Sequence, residues 1–96
     1  MKAVLVIYND AIDVEVSGMA ASVGIEYFTK FGSVYGKGPG SGPRLGDSVW
    51  PGGNKAMLAV VPPEKASELV AAVKKLQQDI PAEGLRVVWW QVEGME

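Results

Sequence analysis

Residues 36–53 divide this chain in two. Gly36-Lys37-Gly38-Pro39-Gly40-Ser41-Gly42-Pro43-Arg44-Leu45-Gly46 opens an 18-residue stretch, ending at Gly53, that holds seven glycines and three prolines. Glycine loses the most backbone entropy on ordering, and proline lacks the N–H that a helix or sheet interior needs. No packed helix or central strand is expected there. The core must therefore come from two short apolar segments, one on each side. A chain of 96 residues buries only about 65% of the surface its unfolded form exposes. The core is thin, and association is one way to enlarge it.

The two segments repeat one pattern. Met1 to Tyr8 is apolar and rich in β-branched residues, which predicts a strand buried on both faces. Asp10 is the expected helix cap, with Asp13 three residues on. Ile12, Val16, Met19, Ala20 and Val23 recur at helical spacing, and Gly24 is the expected stop. Ile25 to Phe31 predicts a second strand and Lys55 to Val61 a third. Pro62-Pro63 ends the third strand and suits the first turn of a helix whose apolar face is Ala66, Leu69, Val70, Val73 and Leu76. Leu85 to Val92 predicts the fourth strand. This is a strand–helix–strand unit used twice. With right-handed crossovers, both helices fall on one face of a four-stranded antiparallel sheet, and the first and third strands are central.

That arrangement leaves one sheet face uncovered. Alternate strand residues point to opposite faces. Val4 and Val6 share one side of the first strand, and Ala3, Leu5 and Ile7 the other. Ala56, Leu58 and Val60 oppose Met57, Ala59 and Val61, while Val88, Trp90 and Val92 oppose Val87 and Trp89. Both faces are apolar in three strands, more than a soluble monomer usually exposes. Association through the open face is expected. A lysine at Val4 or Val6 should then break the assembly.

Residue types exclude several chemistries. The chain has no cysteine and no histidine, so disulfides, thiolate or imidazole metal sites and the usual catalytic triads are not expected. Net charge is −2, which argues against nucleic acid as a partner. No run reaches the roughly 20 apolar residues of a membrane span, and Met1 to Ile7 lacks the features of a signal peptide. A cytoplasmic protein, with no membrane insertion, no metal and no cofactor, is the expectation.

The glycine-rich stretch is a poor match to phosphate motifs. Gly32-Ser33-Val34-Tyr35-Gly36-Lys37-Gly38 has three residues between its glycines, where a P-loop needs four, and has glycine in place of the hydroxyl. The dinucleotide pattern lacks its third glycine. The stretch is either a linker or a functional loop, and long loops inside compact domains are usually functional. Lys37, Arg44 and Lys55 stand against Asp47 alone, a local +2 on an acidic body. Such a loop suits an anionic ligand or an acidic partner surface. Arg44 and Arg86, the only arginines, are the better forks for phosphate or carboxylate. Trp50 is a candidate anchor for a partner or for the loop itself. Capping explains Asp10 and Asp13 better than a cation site does, and packing explains Trp89 and Trp90 better than base stacking.

The pattern resembles the PII-like (GlnB-like) signalling proteins of nitrogen regulation. Phe31-Gly32 and Gly36 are similar to that family's Phe-Gly step before its long T-loop. Lys55 to Leu76 matches in pattern, and Arg86-Val87-Val88-Trp89-Trp90-Gln91-Val92-Glu93 is similar to its last strand. The resemblance implies a single ferredoxin-like α+β domain over residues 1–96, a βαββαβ sandwich with its loop at about 37–53. It also implies a homotrimer that binds a small effector between subunits and contacts partner proteins through the loop. Val34 stands where the family has a glutamine, the 79–84 turn is short, and no C-terminal arginines follow. ATP is therefore expected to bind weakly. The implied function is a regulatory or sensor protein, not an enzyme. Gly32, Gly36, Lys37, Arg44 and Arg86 are the candidate ligand contacts, and Arg44 and Trp50 the candidate partner contacts. The loop is expected to be mobile without a ligand. The alternative is a small oligomeric enzyme, an isomerase or oxygenase, using a buried carboxylate such as Glu26 or Glu93.

Overall fold

The computed structural model describes residues 1–38, 42–44, 53–80 and 84–96. The chain runs β1 (Lys2–Asn9), a 3-10 turn (Asp10–Ile12), α1 (Asp13–Ser22), β2 (Thr29–Val34), β3 (Gly36–Gly38), β4 (Gly42–Arg44), β5 (Asn54–Val61), α2 (Pro63–Asp79) and β6 (Leu85–Gln91). The main sheet has the order β2-β5-β1-β6, and every pairing in it is antiparallel. The fold is the expected ferredoxin-like α+β sandwich, with β1 and β5 central and two helices on one face.

The helices bury what the strands alternate inward. Val4, Val6 and Tyr8 of β1 and Met57, Ala59 and Val61 of β5 form one core with Val16, Leu69 and Val73 of the helices. Pro63 occupies the first turn of α2, where its missing N–H has no helical partner to lose. Gly24 has φ +79°. Ile25 N–H donates to the Ala20 carbonyl and Gly24 N–H to that of Ala21, each at 3.0 Å. Those two bonds close α1 in a left-handed turn that favours glycine.

Three expectations are corrected. Asn9, not Asp10, caps the helical turn: its Oδ1 accepts from Ala11 N–H at 2.8 Å. Asp10 is instead engaged by Lys55 Nζ at 3.0 Å. The second strand begins at Thr29 rather than Ile25. Ile25 is drawn into the core beside α1, so the chain must cross from the helix layer to the sheet edge before it can pair. Val4 and Val6 belong to the helix-covered core, so a lysine there attacks the fold itself, and the open face of β1 is Ala3, Leu5 and Ile7. Beyond these corrections, the glycine-rich stretch carries a short ribbon. Gly36 pairs with Arg44, Lys37 with Pro43 and Gly38 with Gly42. A two-stranded ribbon tolerates proline because one side of each strand needs no partner. The ribbon is separate from the main sheet, as the exclusion of a central strand requires. Residues 39–41 and 45–52, and with them Trp50 and the expected loop mobility, lie outside the described residues.

Candidate functional site

Strand register defines the uncovered face. Phe31 lies opposite Ala56, Ala56 opposite Ile7, and Ile7 opposite Arg86. The next row along β1 is Thr29, Leu58, Leu5 and Val88, followed by Val60, Ala3 and Trp90. Val88 and Trp90 are 49% and 45% exposed. Among the described residues no element covers this face.

The face is not flat. A concavity of about 350 Å3 is lined by Leu5, Ile7, Phe31, Val34, Tyr35, Asn54 and Ala56. The register of β2 against β5 shifts between Phe31 and Val34, and such irregularities bend a strand and re-aim its side chains. Tyr35 links that bend to the ribbon. At the edge of the apolar concavity stands Asn54. It is 7% exposed, and its Oδ1 has no hydrogen-bond partner among the described residues. Buried polar atoms are nearly always paired.

The candidate residues fall into two groups. Gly36, Lys37 and Arg44 are brought together by the β3–β4 ribbon. Gly32 lies on β2 just before it, and a Cβ there would meet nothing within 4 Å, so no close packing within the chain requires this glycine. Arg86 stands apart on β6. β2 and β6 are opposite edges of the sheet, roughly 14 Å apart at three strand spacings. One sheet does not bring Arg86 to the ribbon. Glu26 and Glu93, the carboxylates of the enzyme alternative, are both exposed, so neither is the buried acid that reading needs.

A second polar cluster sits at the other surface. The Tyr8 hydroxyl donates to Asp13 Oδ1 at 2.7 Å, and Lys30 Nζ donates to the same oxygen at 2.9 Å. Lys55 Nζ lies 3.6 Å from Asp13 Oδ2. Burial first, then the Asp13 carboxylate, pushes the Tyr8 hydroxyl well above its ordinary range. The hydrogen bonds from Tyr8 and Lys30 hold the Asp13 carboxyl below its ordinary value. The Asp10 hydrogen bond raises Lys55. These groups satisfy one another and tie β1, α1, β2 and β5 together. Among the described residues no three acidic side chains converge as a metal site would require.

Sequence reasoning missed Asn54 and this cluster. Asn54 lies one residue before the expected third strand and reads there as part of the loop. The cluster joins residues far apart in the chain, brought together by the pairing of β1 with β5 and of β5 with β2.

No family model matches the sequence, and no curated protein matches it. Solved structures do. The nitrogen regulatory PII-like protein CPII from Thiomonas intermedia K12, bound to ADP, AMP and bicarbonate, superposes with a TM-score of 0.72 at 20% identity, covering 97% of this chain and 88% of that one. The chain has the PII-like fold. The apo form of CPII gives a TM-score of 0.64 at 18% identity, over 95% of this chain and 89% of that one. A PII-like signaling protein from Thermus thermophilus gives 0.68 at 16% identity, over 95% and 85%. Among the described residues no helix is long and apolar enough to cross a membrane.

Proposed function

We propose that this chain is a PII-like regulatory protein, without enzymatic activity of its own, that works as a homotrimer. It binds a small anionic effector in a cleft between subunits and contacts a partner protein through the loop at about 37–53. Gly32, Gly36, Lys37, Arg44 and Arg86 receive the effector's negative charge, and Arg44 and Trp50 serve the partner. One observation carries the reading: the apolar concavity on the uncovered sheet face is walled by Phe31, Val34 and Tyr35, the residues that lead directly into the basic ribbon. An adjacent subunit laid on that face closes the concavity into a cleft and supplies the Arg86 that one sheet holds too far away. The CPII structures, with ADP, AMP and bicarbonate bound, support an effector of that size and charge.

Calorimetry with ADP, AMP, ATP and bicarbonate tests the reading. We expect saturable binding of ADP, AMP or bicarbonate with one site per chain. ATP should bind with a dissociation constant above about 100 μM, weaker than roughly −5.5 kcal/mol, because Val34 replaces the family's polar residue and few cations are present to hold a triphosphate. Low-micromolar ATP binding would overturn that expectation, and no binding of any of these ligands would remove them as effectors.

A further inference from the structure

Trp89 stands on the helix side of the sheet and is left half open. It lies opposite Val4, whose side chain is wholly inside the core. Along that side of β6, Leu85 is 6% exposed, Val87 is partly buried and Trp89 is 46% exposed. The cause lies in α2, which brings the small side chains Ala66, Ser67 and Ala71 to this end of the sheet and leaves the indole uncovered. The gap is a cavity of about 330 Å3, whose lining joins those three residues to Lys2, Lys74 and Trp89. That size is near the lower end for small-molecule sites. The cavity shares no lining residue with the concavity on the open face, and β6 is the sheet edge opposite β2.

Two cations stand at this cavity. Lys2 opens β1 on the same side as Val4, two residues along. Lys74 Nζ lies 5.7 Å from the centroid of the Trp89 ring. Neither lysine has an ion pair among the described residues, and no carboxylate lines the cavity among them. The chain as a whole carries −2, so this is a basic spot on an acidic body. A tryptophan face takes a planar ring by offset stacking, and an ammonium is a compact point charge that suits a single carboxylate. We infer that the cavity between α2 and β6 is a second ligand site, for a small aromatic carboxylate whose ring stacks on Trp89 and whose anion lies between Lys2 and Lys74. The Ser67 hydroxyl supplies one neutral donor. A nucleotide suits the cavity less, because neither arginine lines it and nothing there forks onto a phosphate. The contact of Lys74 with Trp89 is by itself an ordinary cation–π pair, but it explains neither Lys2 nor the open space. The site does not depend on the assembly proposed above, which uses the other face of the sheet.

Naphthoate is the probe, set against the neutral alcohol of the same ring system and against AMP. Binding to the full chain is followed by calorimetry and by the indole N–H resonance of Trp89, assigned by its loss in Trp89→Leu. Naphthoate should bind with a dissociation constant of about 1 mM or tighter, shift that resonance, and bind more weakly as salt is raised. Trp89→Leu should weaken binding about tenfold, and Lys2→Met and Lys74→Met about threefold to fivefold each. Ala71 is exposed on α2, so Ala71→Leu fills the cavity without removing a charge. It should abolish the Trp89 shift while melting as the wild type does. A naphthoate that leaves the Trp89 resonance unmoved, or that binds Ala71→Leu as it binds the wild type, overturns the site. Equal binding of the neutral alcohol overturns the part given to Lys2 and Lys74. AMP that displaces naphthoate from Trp89 overturns the choice of a carboxylate over a nucleotide.

Discussion

The two faces of one sheet are made of similar residues and end in different circumstances. On the helix side, Val4, Val6 and Met57 have no solvent exposure at all. On the other side, Leu5, Ile7 and Leu58 keep some exposure, and Val88 and Trp90 keep nearly half. Alternation along β1, β5 and β6 supplies apolar groups to both sides, but among the described residues two α-helices lie on one side to cover them. The difference teaches that strand alternation makes both faces of this sheet apolar, and connectivity decides which face the chain covers by itself. Variants on the two faces should therefore fail in different ways.

The largest effect belongs to the helix-covered face. Val6→Lys places an ammonium in a core with no carboxylate to meet it, and such a charge is not tolerated there. We expect loss of cooperative thermal unfolding by circular dichroism. Leu69→Ala, which empties a fully buried site under the sheet, should cost about 2–5 kcal/mol. A Val6→Lys protein with an unchanged melting curve would mean that the helices do not seal this face.

On the open face the same chemistry should spare the fold. Leu58 is partly exposed, and a lysine there can extend its ammonium into water in a lone subunit. Leu58→Lys should keep a native-like melt while light scattering falls from an oligomer to the 10.2 kDa of one chain. A Leu58→Lys protein that still assembles would shift the interface away from this face.

Much of this difference was legible in the sequence, and the reasons for the misses are local. The strand–helix order, the central strands and the apolar stripe of α2 follow from periodicities of two and 3.6 that no tertiary contact overrides. Which side of β1 meets the helices does not follow, because Val4 and Leu5 are equally apolar. The start of β2 is displaced because Ile25, Tyr27 and Phe28 favour strand while the left-handed turn at Gly24 commits Ile25 to the core. Of the site, the ribbon residues and Arg86 were legible as charge in a glycine-rich setting. Asn54 was not, because an asparagine beside glycines reads as a turn, and only burial makes its amide oxygen informative.

A smaller effect separates the polar cluster from the rest of the fold. The folded protein holds Asp13 below its ordinary value of 3.8, so the unfolded chain binds its proton first as pH falls. The stabilisation is complete above that ordinary value and is lost as pH drops toward the lower value of the folded state. At the alkaline end the sign reverses in pH. Tyr8 ionises later in the folded chain than its ordinary 10.0, so stability declines as pH rises above about 10. Asp13→Asn should lower stability at neutral pH by about 1–2 kcal/mol and flatten the acid limb of melting temperature against pH. An acid limb unchanged by Asp13→Asn would assign acid sensitivity to other carboxylates.

The smallest expected change in stability is at the ribbon, where Arg44 lies opposite Gly36 and outside the main sheet. Substitutions away from packed features usually shift stability by about 0.5 kcal/mol or less, which moves the midpoint of a domain this size by only about 2–4 °C. Arg44→Ala should therefore melt almost as the wild type does. It removes a guanidinium from a basic segment, so binding of ADP or bicarbonate should weaken by about tenfold, a typical loss for a charge-assisted hydrogen bond. Calorimetry and a melting curve on the same preparation separate the two effects. If Arg44→Ala binds as tightly as the wild type, the ribbon is not the anion-receiving wall of the cleft. If instead the midpoint falls by about ten degrees, well beyond that range, Arg44 is a structural residue whose contacts hold the assembly together, and the difference between a stable sheet and a ligand-serving ribbon disappears.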